Sequence, residues 1–140
     1  MTIEDIERAR SREKQIRRLR HEIKELNENP LPSKVKAITV NGEIHYTTGG
    51  GRSSLPSSPV EAHFRSLERL EARLTDIEQQ QGLFWQLVET IEDDEIRAII
   101  YWRVANLRKW EKVAQIIYGH GASRMTPYLR LKRWAERKEE

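Results

Sequence analysis

The sequence predicts a mainly α protein: two long heptad-patterned helices joined by a small β-hairpin and a linker, followed by a C-terminal three-helix unit in helix-turn-helix order. Three observations carry this expectation. Apolar residues recur at heptad spacing over two stretches, 3–26 and 60–91, with charged residues between them. Two runs rich in β-branched and aromatic residues flank Asn41-Gly42. Beyond Glu92, three shorter helical patterns follow one another, and YGHGAS separates the last two with a pair of glycines.

The expected organisation is a long helix over 1–29, a hairpin and flexible linker over 30–57, a second long helix over 58–91 and the three-helix unit over 92–140. In the first helix Ala9, Ile16, Leu19, Ile23 and Leu26 fall at a and d positions, and Arg12 interrupts one of them. Eight basic and seven acidic residues by Asn29 leave that stripe narrow. It therefore needs one partner surface, either a second helix of the chain or a second copy. Asn29-Pro30 with Pro32 ends the helix, because proline lacks an amide donor and biases its predecessor away from the helical region.

Val35 to Val40 and Glu43 to Thr48 then read as strands around a two-residue type I′ turn at Asn41-Gly42. A lone hairpin is marginal in water, so this one is expected to lean on a helix or a partner. The segment Gly49 to Ser57 has linker composition and lacks the spaced Gly-Lys-Ser/Thr of a phosphate loop. Ser58-Pro59-Val60-Glu61 places Ser at the N-cap, Pro at N1 and Glu at N3, a capping box. From it Val60, Leu67, Leu70, Leu74, Ile77, Phe84, Val88 and Ile91 keep heptad register across Gly82, with the length to pair antiparallel with the first helix.

Composition narrows the function classes. Of 140 residues, 37% are hydrophobic and 34% charged, and mean hydropathy is −0.78, which suits amphipathic helices better than one thick core. There is no cysteine, so disulfides, thiolate metal sites and Cys nucleophiles are excluded, and a reducing cytoplasm is the expected location. The charged N-terminus reads neither as a signal peptide nor as a membrane span. His21, His45, His63 and His120 lie in separate segments without zinc-motif spacing, and no Ser sits in a nucleophile elbow. Glu92 to Glu95 lacks the alternating ligands of a calcium loop and reads as helix capping. No enzyme activity, metal or cofactor is expected.

Charge separates sharply near residue 98. Glu61 to Arg97 holds ten acids against four arginines, or −6, whereas Ala98 onward holds ten Lys/Arg against four acids, or +6. A basic patch concentrated on one small unit is the footprint of a polyanion partner. Within it, Ile96, Ile99 and Ile100 form one apolar set, and Trp110, Val113, Ala114 and Ile117 another. For the last helix, Thr126 as N-cap would put Pro127 at N1, where a missing amide costs little. Thr126, Arg130, Arg133 and Arg137 then share a face opposite Tyr128, Leu131 and Ala135. The candidate DNA contacts are Ser123, Arg124, Thr126, Arg130, Lys132, Arg133 and Arg137, with Lys109 and Lys112 from the helix before. The cations neutralise phosphates, and an arginine on this face reads guanine.

These residues also carry a resemblance. A charged first helix with QIRRL, a Ser/Pro-rich middle, a leucine-striped second helix, and IEDDEIRAIIYWR followed by WEKVAQIIYG and SRMTPYLRL resemble the phage-encoded late-transcription regulators of the RinA/ArpU kind. The C-terminal part of that family is similar to the promoter-binding region of sigma factors. The resemblance implies a sequence-specific transcription regulator of a phage or prophage with Ser123 to Arg133 as recognition helix. Double-stranded DNA and RNA polymerase are then its partners, and the heptad stripes of the two long helices add a second copy. It departs from the family pattern at the longer turn His120-Gly121-Ala122 and at Pro127. Two rival readings stay open: a DNA-packaging recognition protein, and a non-enzymatic interaction factor whose helices clamp another protein.

Overall fold

The structure is a computed structural model that describes residues 1–28, 35–40, 43–48 and 59–139, the strands and residues 138–139 by backbone alone. It is mainly helical. The elements are α1 (Ile3–Glu28), β1 (Val35–Val40), β2 (Glu43–Thr48), α2 (Pro59–Glu89), α3 (Asp94–Ile100) with a π-helical continuation (Tyr101–Ala105), α4 (Trp110–Tyr118) and α5 (Met125–Glu139). β1 and β2 pair antiparallel from Val35↔Thr48 to Val40↔Glu43. The Asn41-Gly42 turn, the prolines at 30 and 32, the linker over 49–57 and the Ser58 cap lie outside the described residues.

Two compact units divide the chain, one made of 1–17 and 77–140 and the other of 18–76. In the second, Leu19 is buried and Leu67, Leu70 and Leu74 are half-buried, while His63 packs edge-on against Phe64. The first unit differs from the division expected at Glu92. Its core joins Ile6 and Ala9 of α1, Phe84, Val88 and Ile91 at the end of α2, and Ile96, Ile99, Ile100, Val104, Val113 and Leu131 beyond. The C-terminal helices do not close a core by themselves, and the start of α1 and the end of α2 complete it.

Within this unit α1 and α2 run antiparallel, since Met1 lies beside Leu87 to Ile91 and Ala9 to Glu13 beside Gln81. α1 begins with a reciprocal cap: the Thr2 hydroxyl accepts from the Asp5 amide at 3.2 Å and the Asp5 carboxylate accepts from the Thr2 amide at 2.9 Å. The two polar residues that break the stripes meet each other. Gln81, 4% exposed, accepts from Arg12 Nε at 2.9 Å and donates to Ala9 O at 2.9 Å. A polar pair in an otherwise apolar seam opposes slippage, because any shift strands both groups.

The π-helical turn follows from what lies beyond it. Asn106 N–H reaches back to Tyr101 O at 3.3 Å, Arg108 N–H to Trp102 O at 3.1 Å, and Leu107 takes a left-handed φ of 53°. The carbonyls left without amide donors at this end are capped by arginines: Arg17 donates to Ala105 O at 2.6 Å, Arg10 to Leu107 O at 3.3 Å and Arg103 to Arg108 O at 3.0 Å. Arg103 is itself buried and grips Glu7 through Nε and Nη2, both at 3.0 Å, with its guanidinium 4.6 Å from the Trp110 ring centroid.

Two stability predictions follow. Arg103→Lys keeps the charge but loses the fork and the stacking plane, so urea unfolding is expected to show a loss of about 2–3 kcal/mol; an unchanged midpoint contradicts the role given to Arg103. Gln81→Ala is expected to cost about 1–3 kcal/mol, and a double-mutant cycle with Arg12→Ala to show coupling, whereas strict additivity would mean that the pair does not interact.

Candidate nucleic-acid interface

α3, α4 and α5 pack on one another, and each is fixed by identifiable groups. Asp93 caps α3, its Oδ1 accepting from the amides of Glu95 at 3.0 Å and Ile96 at 3.3 Å. α4 turns Val113 and Ala114 fully inward. Its N-cap, Lys109, gives no side-chain bond to the first-turn amides. At its other end Gly119, with φ 98°, and Gly121, with φ 90°, take conformations that suit glycine, and the chain turns into α5.

α5 corrects one expectation. It begins at Met125, so Thr126 is its second residue and not its N-cap. Ser123 supplies the cap instead, its hydroxyl accepting from Met125 N–H at 3.2 Å and its carbonyl from Thr126 N–H at 3.0 Å. Pro127 still costs little, because the Ser123 carbonyl that an amide at 127 would have met already accepts from Thr126 N–H. Burial adds to its fit: Pro127, Leu131 and Ala135 point into the core. Tyr128 meets Trp110 edge-on at 5.5 Å, which ties α5 to α4.

The expected contact residues divide into two groups. Ser123, Arg124, Thr126, Lys132, Arg133 and Arg137 are exposed on or beside the outer side of α5. Lys109 and Lys112 are exposed at the start of α4, where with Leu107, Arg108, Glu111 and Gln115 they line an open cleft of about 460 Å³. Arg130 is held elsewhere. Its Nη2 donates to Asp93 Oδ2 at 2.5 Å and its Nε lies 3.5 Å from Glu95 Oε2. Tyr118 also donates to Glu95, so one acidic corner at the start of α3 gathers the end of α4 and the middle of α5. The side chain of Lys138 lies outside the described residues.

Sequence reasoning missed Arg108, exposed beside Lys109, because its attention was on the final helix. It also missed Leu129 and Met125, which share the outer side of α5 with Thr126 and Arg133. The signal for both was present in the same helical projection that grouped the arginines. Among the described residues no cluster of His, Cys, Asp and Glu could hold a metal, and no helix is long and apolar enough to cross a membrane. No family model, curated protein or solved structure matches the chain.

The corner at α3 predicts a pH signature. Burial pushes the Asp93 carboxyl up, but the hydrogen bonds from Arg130, Ile96 and Glu95 and the guanidinium charge outweigh it, so its pKa lies below the ordinary 3.8. A carboxyl lowered in the folded state stabilises fully above its unfolded pKa and loses that contribution as pH falls through the folded value. Tyr118 behaves oppositely: burial, then its bond to Glu95, raises it to about 12 from 10.0, so its contribution is full below pH 10 and is lost as pH rises towards 12. In urea titrations Arg130→Gln is expected to flatten the acid loss below about pH 4, and Tyr118→Phe the alkaline loss. Unchanged pH profiles in both variants would show that the corner is not coupled to folding.

Proposed function

We propose that the chain is a non-enzymatic, sequence-specific DNA-binding protein in which α4, the glycine turn and α5 act as a helix-turn-helix. One observation carries this reading: α5 is anchored on its inner side by Pro127, Leu131 and Ala135 and presents Thr126, Arg133 and Arg137 to solvent, with no buried acid among the described residues to explain them. A helix held rigidly on one side and bearing exposed arginines on the other fits the width of a major groove. Lys109, Lys112 and Arg108 at the open start of α4, with Arg124 and Lys132, are placed to neutralise phosphates on either side of the groove. Arg130 has a different role in this reading, setting the angle of α5 against α3 through Asp93 and Glu95.

The process served is transcription control, with RNA polymerase as a protein partner, and this step rests on the resemblance to phage late-transcription regulators. DNA packaging would use the same interface. Self-association has its own support on α2, where Leu83 is 62% and Leu87 58% exposed one helical turn apart. They sit in residues 79–88, a run without a charged side chain in a highly charged chain. A neutral face of this kind can meet its own copy without like-charge repulsion.

Binding isotherms of the full chain on duplex DNA test the reading. At low salt, random duplex is expected to bind, with affinity falling steeply as salt rises; Lys109→Ala and Lys112→Ala should weaken all sequences alike and each lower the salt slope by about one unit. Arg133→Ala should cost about 1–3 kcal/mol on a selected site and relax discrimination there, whereas Arg130→Gln should act mainly through stability. No binding of the full chain to random duplex at low salt would sink the reading. For self-association, light scattering of Leu83→Glu/Leu87→Glu is expected to show a smaller species than wild type, and identical masses would remove α2 as the contact.

A further inference from the structure

Two apolar side chains stand where the DNA-binding reading puts the reading face. Met125 is 44% and Leu129 37% exposed, while Pro127, Leu131 and Ala135 on the same helix are buried. Leu129 lies one turn after Thr126 or Met125 and one turn before Arg133, so the four form a continuous strip. The fold gains little from leaving Leu129 half in water. Arg130 already engages Asp93 and Glu95, whereas Arg133, exposed one turn beyond Leu129, has no ion pair among the described residues and is the arginine beside Leu129 that could meet a base.

In the major groove the only apolar feature on a base edge is the C5-methyl group of thymine. A leucine pressed against guanine, cytosine or adenine would instead cover donors and acceptors that it cannot satisfy, at a cost in desolvation. Resting on the DNA-binding reading, we propose that Leu129 is a specificity-determining residue that packs on the C5-methyl of a thymine close to the guanine contacted by Arg133. Four residues of helix advance about 6 Å. Base steps advance about 3.4 Å, so the thymine lies within two steps of that guanine.

The test uses the full chain in two stages. Binding to random duplex at low salt is read first, and its absence overturns both the DNA reading and this inference. Given binding, a preferred site is selected from random duplexes, the guanine is located as the position where Arg133→Ala loses discrimination, and each nearby thymidine is replaced singly by deoxyuridine, which lacks only the methyl. The expected result is a loss of about fourfold at one thymine, the worth of one buried methyl, and equal affinity of Leu129→Ala for the thymidine and deoxyuridine duplexes. Leu129 is 37% exposed, so Leu129→Ala is expected to lower the unfolding temperature only modestly and to stay folded where binding is measured, and Leu129→Met, which retains an apolar tip, should keep part of the difference. The inference is overturned if no deoxyuridine substitution matters, if Leu129→Ala keeps the full methyl effect, or if the selected site has no thymine within two steps of the guanine. In the last three cases the DNA-binding reading itself stands.

Discussion

The interaction on which the rest of the C-terminal unit depends is the Arg103 guanidinium. It takes both carboxylate oxygens of Glu7, closes the loop before α4 through Arg108 O and lies over the ring of Trp110, which in turn meets Tyr128 edge-on. One planar group therefore links α1, the π-helical turn, α4 and, through one more ring, α5. Burying a guanidinium is costly unless its donors are matched and its face covered, and this site does both. The π turn belongs to the same arrangement. Widening the helix by one residue moves the following carbonyls to where Arg10, Arg17 and Arg103 reach them.

A consequence is that α1 is a component of the C-terminal unit and not a separate stalk. Ile6 and Ala9 are fully buried in a core shared with residues from α2, α3, α4 and α5, and Glu7, Arg10, Arg12 and Arg17 each make at least one side-chain hydrogen bond to that unit. A fragment starting at residue 92 would remove Ile6, Ala9, Phe84, Val88 and Ile91 from the shared core and would leave Arg103 without its carboxylate. Loss of affinity in such a fragment would report on folding before it reported on DNA. The charge of α1 is likewise partly internal: arginines that look solvated by composition are in fact helix caps and seam partners.

The helices were legible because periodicity survives in a single sequence. Ile16 and Leu19 in α1, and Ile77, Phe84, Val88 and Ile91 around the end of α2, are buried as their heptad positions require. Ile6 was not, because a straight α-helix drifts from the seven-residue repeat and brings that neighbouring position inward. Arg12 read as a defect and Gln81 went unnoticed, since each makes sense only beside the other across 69 residues of chain. The π turn carries no residue signature, since Arg10 and Arg17, which meet the carbonyls in and just beyond it, lie on α1, far away in the chain. The start of α5 was misplaced by weighing Pro127 alone. Proline is tolerated throughout the first turn, so its presence could not choose between Ser123 and Thr126, and the Ser123 hydroxyl does.

Arg130 shows most clearly where a helical projection ends and tertiary structure begins. By angle it belongs with Thr126, Arg133 and Arg137, yet the acidic corner of Asp93 and Glu95 lies within reach and captures it. The same acids that gave the preceding segment its negative sign thus subtract from the basic patch that they seemed only to adjoin. Among the described side chains, what stays exposed on the outer side of α5 is a smaller set, Thr126, Lys132, Arg133 and Arg137, interleaved with Met125 and Leu129. In the proposed DNA-binding reading, a face of fewer charges and two apolar tips would have less non-specific attraction to phosphate, and more of its surface would be able to discriminate between base edges. Holding the helix by an ion pair on one flank and by Pro127, Leu131 and Ala135 beneath removes freedom that binding would otherwise have to remove. In that same reading, the cation withdrawn from the outer face by Asp93 and Glu95 would fix the orientation of those that remain.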